Sequence, residues 1–158
     1  MKNIMTENLR PESSVTLRGN YVLLSAGTLD ILLPQHEVGA ADYLDGALES
    51  SEIPGLLTLT GTQNPLIFVA LSEQMTLLTQ CPPERFIVTS LGDDHEEIRW
   101  CWNELRILID VELQEKPLPA VLLTENTPVN QYIEFEGKLA YLCSTDKLCR
   151  FALAFGNE

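Results

Sequence analysis

The chain has 158 residues, 45% of them hydrophobic, which suffices for one globular domain or two small interlocked subdomains with a buried core. Its 23 acidic residues against 10 basic ones give a formal net charge of −13. A surface this acidic repels phosphate backbones and anionic lipid headgroups and attracts basic partners. We therefore expect no nucleic acid or membrane partner and a protein partner instead.

The polar N-terminus, the lack of a long apolar run and the spacing of the cysteines all favour a cytoplasmic location. No apolar run approaches the roughly 20 residues that a membrane-spanning helix needs, and the N-terminus leads into polar sequence. The four cysteines, at positions 81, 101, 143 and 149, include no Cys-x-x-Cys pair and are too widely spaced for a disulfide framework. The sequence predicts reduced thiols and no membrane insertion.

The N-terminal half of the chain reads as a tail followed by strands. Residues 1–13 are polar, contain Pro11 and lack periodicity, which predicts a flexible tail. From residue 14 onward, short apolar runs bounded by turn-forming residues are typical of β-strands. The runs 21–24 and 29–33 flank Gly27 and predict one hairpin, and the runs 56–60 and 65–71 predict another.

The C-terminal half continues this pattern and ends in a helix. Strands are predicted at 85–89, 97–102, 105–109, 131–135 and 139–143, the last two around a Glu-Gly-Lys turn. A helix is predicted over 144–155, with a Ser or Thr N-cap and an acidic first turn. Many short strands predict a mainly β protein with closed or nearly closed barrels and one or two short helices.

Several passages share their order with a known family. The Leu-Pro-Gln-His-Glu-Val stretch at 33–38 is similar to its proline-preceded Val-x-Glu segment, and Pro54-Gly55 is similar to the end of its next loop. Gly61 and Pro65 match the spacing of a later Gly and Pro, and residues 138–148 are similar to its closing strand and helix. On these residues the chain resembles, from about 21 to 151, a divergent member of the CheW-like family of chemotaxis coupling proteins.

The resemblance implies a fold and a function. The fold would be two intertwined five-stranded SH3-like β-barrels in a single domain over 14–158, with subdomains of roughly 14–80 and 81–158. The function would be that of a non-enzymatic adaptor or scaffold that couples a CheA-type histidine kinase to a chemoreceptor or other input protein. The chain departs from the family at Ala40, at Thr60 and at Phe68-Val69, where the family has Glu, Arg and Asp-Leu. These departures favour a role in type IV pilus or surface motility.

The resemblance also places a partner surface in the segments 38–43 and 60–64, which we expect to lie near each other. The predicted partner-binding residues are Val38, Ala40, Ala41, Tyr43, Thr60, Gly61, Thr62 and Gln63. An exposed Val38 would dock onto an apolar surface of the partner. If Val38 belongs to the core instead, its replacement by Asp would lower stability by about 3 kcal/mol or more.

Catalytic and metal-binding patterns have little support. His36 and His95 are the only histidines, and the acidic run 93–97 around His95 favours a solvated turn over a zinc or calcium site. The sequence contains no phosphate-binding loop, nucleophile elbow or His-Glu-x-x-His motif. We expect no enzyme activity, no catalytic residues, no metal and no cofactor.

The remaining aromatic and thiol residues have packing roles as their default. Trp100 and Trp102 lie two residues apart and share one face of a strand, where burial in the core is favoured over an exposed binding hot spot. A reactive thiolate needs a cationic setting, and only Lys147 and Arg150 lie near Cys143 and Cys149 in the sequence. We therefore expect these two cysteines to pack in the core.

Two other function classes remain open. An acidic secretion chaperone that holds an effector segment fits the length and charge, but residues 1–20 lack the long amphipathic helix with which such a chaperone opens. A far-UV circular dichroism spectrum distinguishes the helix-containing chaperone fold from the mainly β CheW-like fold. A barrel that binds a small ligand would need convergent polar groups at its mouth, which sequence does not place.

Overall fold

The computed structural model describes residues 15–61, 66–92, 96–118 and 129–156, and in these ranges the protein is mainly β, as predicted. The strands are β1 Val15–Ala26, β2 Leu29–Pro34, β3 Asp42–Tyr43, β4 Leu48–Ser50, β5 Leu57–Leu59, β6 Ile67–Val69, β7 Ile87–Thr89, β8 Ile98–Trp102, β9 Glu104–Pro117, β10 Val129–Phe135 and β11 Lys138–Cys143. A 3-10 turn spans Gln35–Glu37, and helix α1 spans Thr145–Gly156.

Five strands close into a barrel in the order β1-β2-β11-β10-β9. The hairpins β1–β2 and β10–β11 are those predicted from the sequence, and β9 runs antiparallel to most of β1. Parallel pairing of Tyr141 with Ile31 and of Leu142 with Leu32 joins β11 to β2. All five strands supply apolar side chains to one cluster, whose buried members are Leu32, Leu108, Leu113, Ile133 and Ala140.

The other six strands form a second sheet in the order β3-β7-β8-β6-β5-β4. An antiparallel pair joins β5 to β6, which confirms the predicted hairpin of this region. The predicted strands at 85–89 and 97–102 pair antiparallel as β7 and β8, while β6 and β8 are parallel. The apolar cluster of this sheet is buried at Leu57, Phe68, Ala70, Val88 and Cys101. One predicted five-stranded barrel is thus present, and its counterpart is a sheet of six strands.

The six-stranded sheet must curl. Its two outer strands, β3 and β4, are joined by only the residues between Tyr43 and Leu48. That linker spans at most about 17 Å when fully extended. The outer strands of a flat six-stranded sheet would be about 24 Å apart. The short connection therefore brings the two ends of the sheet toward each other.

A shared core joins the barrel to the sheet. Val22, Ile31 and Leu33 of the barrel belong to the same buried cluster as Trp100 and Trp102 of β8. The two indole rings are stacked, with centroids 6.1 Å apart, and both side chains are at most 1% exposed. The predicted burial of this tryptophan pair is confirmed, and the pair lies where the two sheets meet.

The two sheets divide the chain differently from the expected boundary near residue 80. The barrel takes its strands from residues 15–34 and 104–143, while the other sheet takes all of its strands from 42–102. This division follows from the parallel pairing of β11 with β2. Through this pairing the last strand of the chain joins the first hairpin, after the strands of the other sheet have been completed. The six-stranded sheet is therefore inserted between the second and third barrel strands of the chain.

Helix α1 caps the shared core and is fixed at its N-terminus. The Lys147 N–H donates a hydrogen bond of 3.2 Å to the Ser144 hydroxyl, which confirms the predicted N-cap. The Thr145 N–H donates to Glu37 Oε1 at 3.2 Å, so the helix is tied to the 3-10 turn. Leu148 and Cys149 pack into the shared core. Within the described ranges, no helix has the length and apolarity needed to cross a bilayer.

The β1–β2 turn supports a prediction about Gly27. Its φ is +67°, and an added Cβ would lie 2.4 Å from Glu73 Oε2, which accepts a hydrogen bond from Thr28 N–H. Replacing Gly27 with alanine should lower the free energy of unfolding by about 1–2 kcal/mol from backbone strain. The contact with Glu73 should add a further loss, and urea denaturation measures the total. Gly137, at φ +79°, is the matched control for backbone strain alone, because no described atom beyond its chain neighbours lies within 4 Å of an added Cβ. Equal losses in the two variants would contradict a steric role for Glu73.

Candidate partner-binding edge

The predicted segment 38–43 forms one border of the six-stranded sheet. The Gly39 N–H donates to the Ser90 carbonyl at 2.9 Å, and the Leu44 N–H donates to the Phe86 carbonyl at 2.8 Å. Strand β3, between these two bonds, pairs with β7 alone in the described part of the sheet. The segment therefore runs antiparallel to residues 86–91 and leaves its other side at the sheet edge.

Two aromatic side chains are exposed together at this border. Tyr43 is 71% exposed and Phe86 is 44% exposed, and their rings stack with centroids 5.9 Å apart and an interplanar angle of 19°. Ala40 and Ala41, on the same segment as Tyr43, are also exposed. We call these four residues the aromatic edge. A contiguous pair of large exposed aromatics is a feature of binding sites, unlike a single exposed apolar residue.

The backbone of β3 is blocked against addition of another strand. Because the Leu44 N–H points to β7, the N–H of the preceding Tyr43 points the opposite way, toward the free side. There it donates a 2.8 Å hydrogen bond to the Asp42 carboxylate. An edge donor that is already satisfied by a charged side chain disfavours strand pairing. A partner would therefore contact the aromatic side chains rather than extend the sheet.

Acidic residues surround the aromatic edge. Asp42, Asp45 and Glu84 are all exposed on the two segments that form it. The only basic residue in 38–45 and 82–86 is Arg85, and its side chain is buried. The local potential is therefore negative, which steers a basic partner surface toward the rings.

Three other predicted site residues, Val38, Thr60 and Gly61, are described and are not part of the aromatic edge. Val38 is half-buried, packs against the shared core and forms a β-bridge with Leu91. Thr60 and Gly61 are exposed at the end of β5, where the Thr60 N–H donates to the Ala47 carbonyl at 2.8 Å. Within the described residues, no hydrogen bond joins this turn to the segment 38–43. Thr62 and Gln63 lie outside the described residues.

Sequence reasoning named Tyr43 and missed Phe86. The run 85–89 predicted a strand, but the pattern of one strand does not show which other strand pairs with it. The pairing of Tyr43 with Ile87 brings Phe86 to the exposed ring. The alternation of the strand gave the opposite signal, because Phe86 lies two residues before the buried Val88 and period-two alternation places both side chains on one face.

The mouth of the barrel holds the alternative site, a small-ligand pocket. A cavity of about 310 Å³ is lined by polar residues that include Ser25, Asp30, Arg106 and Glu136. These groups bind each other: Ser25 donates to Asp30 at 2.6 Å, and Arg106 forms two hydrogen bonds of 2.7 Å with Glu136. This pairing lowers the pKa of Glu136 and raises that of Arg106. Groups already paired offer a ligand little, so the aromatic edge is the stronger candidate.

A metal site needs several ligand side chains close together. The described ranges contain no group of three or more His, Cys, Asp or Glu side chains that could hold a metal ion. His36 is exposed and lies 3.9 Å from the Glu37 carboxylate. Asp93, Asp94 and His95, for which the sequence predicts a solvated turn, lie outside the described residues.

Cys143 and Cys149 are buried in the shared core, as predicted. Burial raises the pKa of Cys149 to about 11, and it raises that of Cys143 still further above the usual range. Thiols with raised pKa values are poor nucleophiles at neutral pH. The two side chains therefore serve packing.

Comparisons with known proteins add no family. No protein-family model matches the chain, and no curated protein matches it either.

Proposed function

We propose that the protein is a non-enzymatic, cytoplasmic adaptor of the CheW-like type, which couples a CheA-type histidine kinase to a chemoreceptor or other input protein. The observation that supports this function best is the stacked, exposed pair of Tyr43, on the edge strand β3, and Phe86, which precedes β7. The departures at Ala40 and Thr60 favour a pathway that serves type IV pili or surface motility.

The chemistry of the aromatic edge suits a protein partner. Two stacked rings supply a rigid apolar anchor at a low cost in side-chain entropy, and small alanines beside them allow close approach. The acids around them would accelerate encounter with a basic surface. The satisfied backbone of β3 favours docking through side chains, as expected between two preformed domains.

The topology is compatible with the finer fold that we propose, two intertwined SH3-like barrels. One barrel contains strands from both halves of the chain, with the second sheet inserted between them. The curling of the inserted sheet, required by its short β3–β4 linker, brings its ends together as in a second barrel. Docking through such a rigid double sheet would hold two partners at a fixed separation.

Removal of the exposed tyrosine should weaken partner binding. We expect Tyr43→Ala to lower the affinity for the CheA-type kinase of the native organism by about 30-fold, the effect of losing one hot-spot side chain. Its thermal midpoint should be unchanged, because the ring is mostly exposed. Isothermal titration calorimetry with the purified kinase and a thermal scan provide the two measurements.

The matched control is Ile109→Ala, which removes a 60% exposed apolar side chain from the barrel strand β9. This variant should bind as tightly as the parent protein. If Tyr43→Ala binds equally well, the aromatic edge is not the docking site. If the parent protein binds neither the kinase nor a chemoreceptor, the adaptor function itself is wrong.

A further inference from the structure

Cys81 and Cys101 pack in one apolar cluster of the six-stranded sheet. The Cys81 sulfur lies 3.6 Å from the carbonyl oxygens of both Pro82 and Arg85, inside a turn closed by the Arg85 N–H at 3.0 Å from the Pro82 carbonyl. Cys81 is half-buried, whereas Cys101, opposite Val88 in the centre of the sheet, is only 1% exposed.

Arg85 provides an unusual buried charge beside this pair. Its side chain is 4% exposed, and its Nη1 atom is buried without a hydrogen-bond partner in the described chain. None of the described carboxylates forms an ion pair with Arg85. A buried guanidinium without a carboxylate is unfavourable unless another anion compensates it. Cys81 acts on Arg85 more strongly than Glu84 or Glu73 does, so its thiolate form is the main anion that the surroundings supply.

The two thiols differ in acidity in the way a nucleophile and a resolving thiol do. Hydrogen bonding with Cys101 and the nearby charge of Arg85 lower the pKa of Cys81, against the opposing effect of burial. Hydrogen bonding with Cys81 and burial raise the pKa of Cys101. Cys81 is thus the accessible thiol that ionises first, and Cys101 is the buried thiol beside it.

We propose that Cys81 and Cys101 form a redox-active dithiol, which a hydroperoxide oxidises to an intramolecular disulfide. The Cys81 thiolate attacks the peroxide and breaks its O–O bond, giving a sulfenic acid on Cys81 and releasing an alcohol or water. The Cys101 thiol then gives its proton to the oxygen of the sulfenic acid as its sulfur attacks the Cys81 sulfur, the S–O bond breaks, and a water molecule leaves. Two thiols and one hydroperoxide thereby give one disulfide, one water and one alcohol or second water, with the peroxide reduced. The dithiol is independent of the proposed adaptor function.

Peptide mapping tests this directly. The reduced full-length protein is treated with one equivalent of hydrogen peroxide, alkylated under denaturing conditions and digested with trypsin without reduction. Cleavage after Arg85 and Arg99 separates the two cysteines onto different peptides, 19–85 and 100–106, which only a disulfide holds together. We expect this linked pair in most of the protein, while Cys143 and Cys149 remain fully alkylated.

Single variants resolve the two steps. In Cys101→Ser the sulfenic acid on Cys81 should persist and be trapped by dimedone, whereas Cys81→Ser should consume no peroxide at this site. Cys143→Ser is the matched control, because it removes a buried thiol elsewhere and should leave the linked peptides unchanged. If Cys101→Ser does not fold, the half-buried Cys81→Ser variant and the parent protein still decide the question.

The positioning role of Arg85 has its own readout. In Arg85→Met the profile of Cys81 alkylation rate against pH should move to higher pH, and the rate with peroxide at neutral pH should fall about tenfold. Arg85→Lys should restore part of the shift, because it returns the positive charge. Oxidation of Cys81 to a sulfinic acid without a linked peptide, or oxidation of Cys143 and Cys149 at the same rate, would overturn the proposal. An unchanged pH profile in Arg85→Met would show that Arg85 has no role in activating Cys81.

Discussion

Replacing Trp102 with alanine is expected to lower the free energy of unfolding by about 3–5 kcal/mol, as for other fully buried aromatic side chains. Trp102 has no exposed surface, stacks on Trp100 and lies between the barrel and the six-stranded sheet. Its Nε1 donates a 3.0 Å hydrogen bond to the hydroxyl of Thr89, which is itself fully buried. Urea denaturation followed by far-UV circular dichroism measures the loss.

The neighbouring tryptophan provides the control for the hydrogen bond. Trp102→Phe should lower the free energy of unfolding more than Trp100→Phe does, because it leaves the buried Thr89 hydroxyl without its donor. Trp100→Phe should be milder, since the Trp100 Nε1 atom has no partner in the described chain. The opposite order would show that packing, rather than the hydrogen bond, distinguishes the two sites.

Val38→Asp is the second large effect, and we expect it to lower the free energy of unfolding by about 3 kcal/mol. Val38 packs against the shared core and forms a β-bridge with Leu91, so a carboxylate there would be forced into an apolar contact. A chemical denaturation curve of the purified variant measures the change. Loss of partner binding by this variant would therefore report unfolding as well as contact.

Ala40→Asp is the matched control, because Ala40 is exposed only two residues away on the same segment. It introduces the same charge and should change stability by no more than about 0.5 kcal/mol. If Val38→Asp is as stable as Ala40→Asp, then Val38 behaves as a surface residue, and the original expectation that it docks onto a partner regains its basis.

Local patterns predicted much of the secondary structure. The hairpin around Gly27 and the one around Gly137 both depend on positive φ values of their glycines, at +67° and +79°, which a sequence signals directly. The Ser144 cap of the C-terminal helix is likewise a short-range signal. The strand β9 was expected to end at residue 109, whereas it continues to Pro117 past Asp110, whose φ is +50°. The break at Asp110 disturbs the strand periodicity.

Long-range pairings were not predictable from one sequence. The parallel contacts between β2 and β11 and between β6 and β8 join segments that no turn connects. They determine that the barrel uses both ends of the described chain and that the other sheet occupies its middle. The same limit applies to the site, because Tyr43 was recognisable as an aromatic residue in a loop while its partner Phe86 depends on the pairing of β3 with β7.

The order of strands in the barrel has a consequence for synthesis on the ribosome. The chain emerges from its N-terminus, so the hairpin of β1 and β2 appears early, yet its partners β9 and β11 follow the entire six-stranded sheet. Until residue 143 has emerged, the apolar faces of that hairpin have no completed barrel to cover them. Such delayed pairing exposes strand edges to aggregation and suits protection by a chaperone. We expect nascent chains arrested before β11 to be protease-sensitive in β1, and chains arrested after α1 to be resistant.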